Sequence, residues 1–211
     1  QSNRLHQEVF SAIEKNGHYY GAGHFLGAVE QLQLGDILDK YVVSHVLKTL
    51  SQDTSVGPLA VNLTLSSITN ASFIRWLGTT LDQHRRLAGQ LLFEIPEGAF
   101  VRYADHTGLL SDQIRQTGFQ FWVDYYGRNF QSIDYLQRFK PNYVKIDFAY
   151  TSHIEDDAQD NVLASICRTA HNLNITTIAT RVETEAQLAH LSQLFVNGFQ
   201  GYIVSNTDNA S

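Results

Sequence analysis

The chain has 211 residues, enough to bury the core of one domain, and its 43% hydrophobic and 17% charged residues are typical of a folded chain. A formal charge of −6 argues against binding to DNA or RNA polymers, which requires many lysines and arginines, but does not exclude a small nucleotide. No apolar stretch approaches the roughly 20 residues needed to span a bilayer. The single Cys167 cannot form an internal disulfide, which fits a reducing compartment.

Short apolar runs alternate along the chain with stretches of helical spacing. Strands are predicted at 4–10, 59–64, 90–95, 119–124, 143–147, 175–180 and 199–204. Helices are predicted at 36–50, 70–81, 109–117, 133–139, 158–173 and 184–194, with Asn70 and Thr184 as caps. The glycine-rich stretch 17–27 is too irregular for regular structure, and we interpret it as a lobe beside the functional pocket.

This alternation is typical of a parallel α/β sheet. Seven strands are one short of an eight-stranded barrel, and the missing strand is expected to lie before Gln1. A barrel is therefore the first interpretation of the fold, and an open doubly wound sheet is the alternative. Residues 1–211 are interpreted as a single domain.

Polar residues lie at successive strand ends: Glu8, Asn62, Glu94, Asp124, Lys145 and Gln200. In parallel α/β folds the carboxyl ends of the strands share one face, where ligands bind. Glu, Asn and Asp supply hard oxygen donors that suit Mg²⁺, Mn²⁺ or Ca²⁺, and a lysine suits a phosphate. Alternatively, each residue is a helix cap or a satisfied polar group in the core. The nine histidines show no ligand-like spacing, so a histidine-based metal site is not expected.

The strand ends lie in short motifs: VNLT at 61–64, FEIPE at 93–97, YVKID at 143–147, VET at 182–184 and QGY at 200–202. These motifs resemble those of the EAL domain, which hydrolyses or binds cyclic di-GMP. The resemblance implies a modified TIM (β/α)8 barrel whose antiparallel first strand would precede Gln1. It also implies that the chain is an N-terminally truncated piece of a larger signalling protein.

The chain departs from the family pattern at positions that matter for catalysis. Only the glutamate of the EAL tripeptide is kept, as Glu8, and the following arginine is replaced by Ala12. The paired aspartates become Asp124 and Tyr125, and Thr180 replaces the general-base glutamate. Active members are understood to use two metal ions and that base, so the resemblance implies a degenerate phosphodiesterase without catalytic residues.

Cations new to the active pattern accompany these losses. Arg128 and Arg181, with Lys145, are expected to replace the metal ions as the positive charge for ligand phosphates, or else to be solvated surface residues. Phe130, Tyr126 and Tyr202 are candidates for stacking on a guanine, or else core residues. The expected ligand-binding set is Glu8, Asn62, Glu94, Asp124, Arg128, Phe130, Lys145, Asp147, Arg181, Glu183, Gln200 and Tyr202. No metal is expected, and Glu8, Asn62, Glu94 and Asp124 are remnant metal ligands.

GRNF at 127–130 and RVET at 181–184 are most similar to the LapD-type receptors, inner-membrane proteins whose cytoplasmic EAL domain binds cyclic di-GMP without cleaving it. The partners that this likeness implies are flanking HAMP- or GGDEF-like domains and a second copy of the chain in a homodimer. Two alternatives stay open. One is an EAL-fold scaffold that binds no nucleotide, which Ala12 and Thr180 favour. The other is a residual phosphodiesterase, which Tyr125 and Thr180 disfavour.

Overall fold

The computed structural model describes residues 6–129, 134–152 and 157–202, with the side chains of 157–159 excepted. The described residues form two compact units. The first unit contains residues 6–95 and 102–121, and the second contains residues 96–101 and 122–202 within the described ranges. Seven strands belong to a mostly parallel sheet, as predicted.

In the first unit, three strands pair in parallel in the order β1 (Gln7–Glu8), β4 (Leu59–Asn62) and β5 (Leu91–Pro96). The helices are α2 (Gly35–Gln52), α3 (Leu65–Ile68), α4 (Ala71–Gln83) and α6 (Ala104–Gln116). The predicted cap of α4 is present, since Asn70 accepts hydrogen bonds from the amides of Ser72 and Phe73 at 2.9 and 3.2 Å. Helix α3 and the six-residue helix at Glu97–Arg102 were not predicted.

The prediction of irregular structure for residues 17–27 is wrong. Strands β2 (Ala12–Lys15) and β3 (His18–Gly21) form an antiparallel hairpin, and α1 (Ala22–Gln31) follows directly. The hairpin turn is Asn16-Gly17, with φ of 55° and 76°. An Asn-Gly pair between two strands is a strong local hairpin signal because both residues tolerate positive φ. The side chains of β2 and β3 are exposed on both faces, and α1 has no buried residue.

In the second unit, four strands pair in parallel in the order β6 (Gln120–Tyr126), β7 (Tyr143–Ile146), β8 (Thr176–Ala179) and β9 (Gly198–Phe199). Strand β6 belongs to this unit from Trp122 onward. The helices are α5 (Glu97–Arg102), α7 (Asp134–Phe139), α8 (Asp157–Asn172) and α9 (Glu185–Gln193). Thr184 forms the predicted capping box with Gln187. The part of the last predicted strand beyond Tyr202 lies outside the described residues.

Two carboxylates organise the turn after β4. Asp39 on α2 is buried, and its Oδ2 accepts hydrogen bonds from the amide and the hydroxyl of Thr64, both at 2.8 Å. Glu30 on α1 accepts the amides of Leu65 and Ser66 at 2.6 and 3.1 Å. These bonds satisfy amides that the first turn of α3 leaves without an intrahelical partner. The strand end that carries Asn62 is thereby joined to α1 and α2.

Within residues 6–129, 134–152 and 157–202, no helix combines the length and apolarity required to cross a membrane.

The buried Asp39 makes stability depend on pH. Burial raises its pKa from 3.8 to about 6, although hydrogen bonds from Ser67 and Thr64 oppose that shift. Because the folded pKa is raised, the contribution of protonated Asp39 to stability is complete below pH 3.8 and is lost as pH rises through 6. Asn at this position keeps an acceptor without the charge. Between pH 4 and 7, we expect wild type to lose up to about 3 kcal/mol of unfolding free energy relative to Asp39→Asn.

Urea denaturation of both proteins across this range measures the difference. Asp82→Asn, which removes an exposed carboxylate from α4, is the control and should follow wild type. Parallel curves for wild type and Asp39→Asn would show that Asp39 does not titrate in this window.

Candidate functional site

Glu8, Asn62 and Glu94 all lie on one face of the sheet in the first unit. Glu8 is the register partner of Ala60, and Asn62, two residues further along β4, is the partner of Glu94. Side chains alternate between faces along a strand, and register partners in parallel strands share a face. Three of the predicted remnant metal ligands are therefore brought to one face, as the strand-end argument predicts.

His6, which the sequence interpretation did not include, joins this group. Its Nε2 lies 3.3 Å from Oε1 of Glu94, and the two side chains are only 6% and 1% exposed. One ligand atom each from His6, Glu8 and Glu94 lie within 4.8 Å of one another. An imidazole and two carboxylates at this separation fit a single divalent ion. The signal was available, since His6 precedes Glu8 by two residues and so projects from the same side of an extended chain.

In the second unit, β6 ends in two adjacent tyrosines, one exposed and one buried. The β6–β7 register shifts between Val123 and Tyr126, so Asp124 and Tyr125 lie in a bulge. Tyr125 has a φ of 58° and is 42% exposed. Tyr126 is fully buried, and its hydroxyl donates to the carbonyl oxygen of Ile166 at 3.0 Å. The suggestion that Tyr126 stacks on a guanine is therefore wrong, because its ring belongs to the core.

The loop after β6 is held by Glu97, a buried residue at the start of α5. Its carboxylate accepts the amides of Gly127 and Asn129 at 3.1 and 2.7 Å and the side-chain amide of Asn129 at 3.1 Å. The hydroxyl of Tyr135 donates to the same carboxylate at 2.7 Å, and burial together with Glu97 raises the pKa of Tyr135. Four donors thus position the backbone on both sides of Arg128.

Gly127 is required in this loop. Its φ is 100°, and a Cβ at this position would lie 2.9 Å from the ring of Tyr150 and 3.1 Å from the side chain of Ile166. The hydroxyl of Tyr150 donates to the carbonyl oxygen of Gly127 at 3.0 Å. Phe130, which the sequence interpretation placed in the ligand set, lies outside the described residues.

The end of β7 carries a buried lysine and a buried carboxylate. Lys145 and Asp147 are 3% and 2% exposed. Asp147 accepts the amide of Ala149 at 2.9 Å and forms an ion pair with Nε of Arg128, whose side chain is half exposed. The sequence interpretation placed these three residues in the ligand set, and the structure pairs Arg128 with Asp147, two residues after Lys145 of β7.

The residues after β8 divide into structural and exposed positions. The hydroxyl of Thr180 donates to the carbonyl oxygen of Ile146 at 2.9 Å, so it serves the fold. Arg181 has a φ of 55°, and its Cζ lies 4.4 Å from the ring centre of Phe148. Glu183 is exposed. Arg181 is therefore presented outward on an aromatic surface.

The segment after β9 contains the last two residues of the predicted ligand-binding set, Gln200 and Tyr202. The amide of Gln200 donates to Ala179 at 2.8 Å, and the carbonyl oxygen of Gln200 accepts the amide of Val182 at 3.0 Å. A Cβ on Gly201 would lie 2.1 Å from the carbonyl oxygen of Val182, so only glycine fits between these segments. Tyr202 is exposed, which leaves its ring available for the stacking role predicted for it.

Tyr125 lies among the cations of this unit. Burial raises the pKa of its hydroxyl, followed by the charge of Asp124, whereas Arg128, Lys145 and Arg181 each act to lower it. Cζ of Arg128 lies 4.5 Å from the centre of the Tyr125 ring. Arg128 therefore lies against the ring of an exposed phenol, an arrangement suited to an anionic ligand.

Sequence reasoning assigned no role to Glu97, Phe148 or the ring of Tyr125. Glu97 was visible as the last residue of FEIPE, directly after the proline that ends β5. Phe148 follows the predicted ligand residue Asp147. Neither position carries a local pattern that indicates its partners, because those partners lie 30 or more residues away in the chain.

Comparison with known families and structures gives consistent matches. The family model described as EAL domain matches residues 1–207. The structure of Vibrio cholerae LapD S helix-GGDEF-EAL, both apo and bound to c-di-GMP, is 50% identical over 95% of this chain, with a TM-score of 0.91. The match covers about half of the S helix-GGDEF-EAL chain, 50% and 49% in the two structures.

More distant matches include phosphodiesterases. The PaMucR phosphodiesterase in complex with c-di-GMP is 25% identical, with a TM-score of 0.81 over 93% of this chain and 82% of that chain. The bifunctional diguanylate cyclase/cyclic di-GMP phosphodiesterase MucR of Pseudomonas aeruginosa is 29% identical over 187 residues. That match covers 86% of this chain and 27% of MucR.

Removing Glu97 should destabilise the second unit. Glu97→Ala leaves four donors without their acceptor, two of them buried, at a cost of about 3 kcal/mol or more in unfolding free energy. Glu97→Gln keeps one acceptor oxygen and should lose less. Urea denaturation measures both, with Glu14→Ala on the exposed strand β2 as control. A loss for Glu97→Ala within about 0.5 kcal/mol of the control would contradict the role assigned to this carboxylate.

Proposed function

Since the chain belongs to the EAL domain family, we propose that it is a catalytically inactive cyclic di-GMP receptor, similar to the LapD-type proteins. Family membership and the likeness to LapD confirm the resemblance drawn from the motifs. They also confirm the fold class, a TIM-like (β/α) barrel of the EAL type. Members of this family include both cyclic di-GMP phosphodiesterases and proteins that bind the nucleotide.

The loss of catalysis is proposed from two positions. Where the resemblance implies a second aspartate, the chain has Tyr125, and a neutral phenol is a poor substitute for an anionic ligand of a second metal ion. Where it implies a general base, the chain has Thr180, whose hydroxyl donates to the backbone. His6, Glu8 and Glu94 fit one ion, whereas the two-metal reaction needs a pair.

The observation that carries the binding proposal is the placement of Arg128, Lys145 and Arg181 at the carboxyl ends of the neighbouring strands β6, β7 and β8. Arg128 and Arg181 each lie against an aromatic ring, which restricts the guanidinium, and Lys145 is buried at the end of β7. Fixed cations of this kind bind phosphate oxygens without a metal ion. LapD, half of whose sequence is identical over the shared region, has been solved with c-di-GMP bound. We therefore propose that binding requires no metal cofactor.

The ligand-binding residues proposed are those named from the sequence, except that nothing is added for Phe130, which lies outside the described residues. In this proposal, residues 1–211 act as one EAL output module of a longer inner-membrane protein. Its cytoplasmic part would include a GGDEF-like domain, as in LapD, and HAMP-like segments. Nucleotide binding would alter conformation or promote a homodimer. No DNA or RNA polymer is proposed as a partner.

Calorimetric titration with cyclic di-GMP in the presence of EDTA tests this function. We expect saturable binding of similar affinity with and without EDTA, because the cations are supplied by the chain. After prolonged incubation with Mg²⁺ or Mn²⁺, chromatography should recover intact nucleotide.

Two results would contradict the proposal in different ways. Turnover to a linear dinucleotide would identify a residual phosphodiesterase. Absence of binding, with a folded protein by circular dichroism, would favour a scaffold that works through protein contacts, as the missing arginine at Ala12 suggests.

Replacing either arginine should weaken binding. Arg128→Ala and Arg181→Ala each remove a charge-assisted contact to phosphate, so we expect the Kd to rise about 10- to 100-fold. Arg85→Ala is the matched control, since Arg85 is also exposed and paired with a carboxylate, Asp82, but lies in the first unit. Equal affinities for all three variants would show that Arg128 and Arg181 do not bind the nucleotide.

A further inference from the structure

The side chain of Tyr125 is presented outward by the backbone. It lies in the bulge at the end of β6, with a positive φ that non-glycine residues rarely adopt. Its own amide donates to Oδ1 of Asp124 at 2.8 Å, which stabilises this local conformation. The neighbouring Tyr126 continues into the core, so the bulge separates an exposed phenol from a buried one. Such a backbone places a side chain at a site rather than in the core.

One face of the Tyr125 ring is covered by a cation. Cζ of Arg128 lies 4.5 Å from the ring centre, while Nε of Arg128 contacts Asp147. The ring therefore acts as a support for the guanidinium, and its covered face is not open to a base. The polar group that Tyr125 offers to a ligand is its hydroxyl.

That hydroxyl can donate a hydrogen bond, because a phenol is protonated at neutral pH. The guanidinium of Arg128 lies against the ring of Tyr125. Lys145 and Arg181 lie at the carboxyl ends of β7 and β8, the strands that follow β6 in the sheet. A neutral donor beside a guanidinium suits an oxyanion with several acceptor oxygens, and a phosphodiester has this chemistry.

We infer that Tyr125 is a ligand-binding residue whose hydroxyl donates a hydrogen bond to a phosphate oxygen of the bound nucleotide. This inference rests on the proposed function. A tyrosine at position 125, where the family pattern has an aspartate, then has two effects. It removes a metal ligand, and its phenol adds a direct hydrogen-bond donor to the phosphate. The same substitution would then weaken catalysis and support metal-independent binding.

The test compares wild type, Tyr125→Phe and Tyr41→Phe by calorimetry with cyclic di-GMP in EDTA. Phenylalanine keeps the ring beneath Arg128 and removes only the hydroxyl. Tyr41 is an exposed tyrosine on α2 in the first unit and serves as the control. We expect the Kd of Tyr125→Phe to rise about 10-fold or more and that of Tyr41→Phe to match wild type. Thermal unfolding of the three proteins should agree.

A second readout reports the hydroxyl directly. Donation from a phenol to an anion shifts tyrosine absorption to longer wavelength, so nucleotide should produce this difference spectrum in wild type and Tyr41→Phe but not in Tyr125→Phe. If wild type binds and Tyr125→Phe binds equally well with the same spectrum, this inference is overturned and the receptor proposal stands. If wild type does not bind, the receptor proposal fails, and this inference fails with it.

Discussion

The buried carboxylate of Glu97 is the constraint on which the second unit's candidate site depends. A carboxylate removed from water is costly unless its oxygens accept hydrogen bonds, and here four donors from Gly127, Asn129 and Tyr135 supply them. The same bonds fix the backbone on either side of Arg128. Arg128 in turn pairs with Asp147 and covers the ring of Tyr125. The buried Glu97 thus determines the position of the exposed guanidinium of Arg128.

This arrangement bears on how the family's chemistry changes when a metal ligand is lost. An active site that uses two divalent ions brings mobile positive charge to the phosphate and activates water with it. Arginines supported by Tyr125 and Phe148 bring positive charge that belongs to the chain. In the proposed function, they would bind phosphate oxygens through fixed donors and would supply no activated water. Retained affinity and lost turnover then have a common physical cause in this proposal.

Carboxylates also organise the first unit, with a different outcome. Asp39 and Glu30 accept amides at the start of α3, and Asp39 bears a raised pKa because burial disfavours its charged form. Glu94 is equally buried, and His6 lies 3.3 Å from it. The β2–β3 hairpin and α1, in contrast, expose nearly all their side chains, and a hairpin of two strands is marginally stable by itself.

The sequence by itself determined the seven strands of the parallel sheet, helices α2, α4 and α6–α9, the family and the order of polar residues at strand ends. Those features follow from local spacing: apolar periodicity, caps at Asn70 and Thr184, and short motifs that are continuous in the chain. Even the hairpin at 12–21 was present locally in Asn16-Gly17, although the surrounding glycines obscured it. Tertiary structure alone decided that Tyr126 is buried while Tyr125 is exposed, that Glu97 holds the Arg128 loop, and that His6 meets Glu94. Each of these features depends on partners distant in sequence or on a one-residue change of register. Neither distant contacts nor register shifts produce a periodic pattern of residues in the sequence.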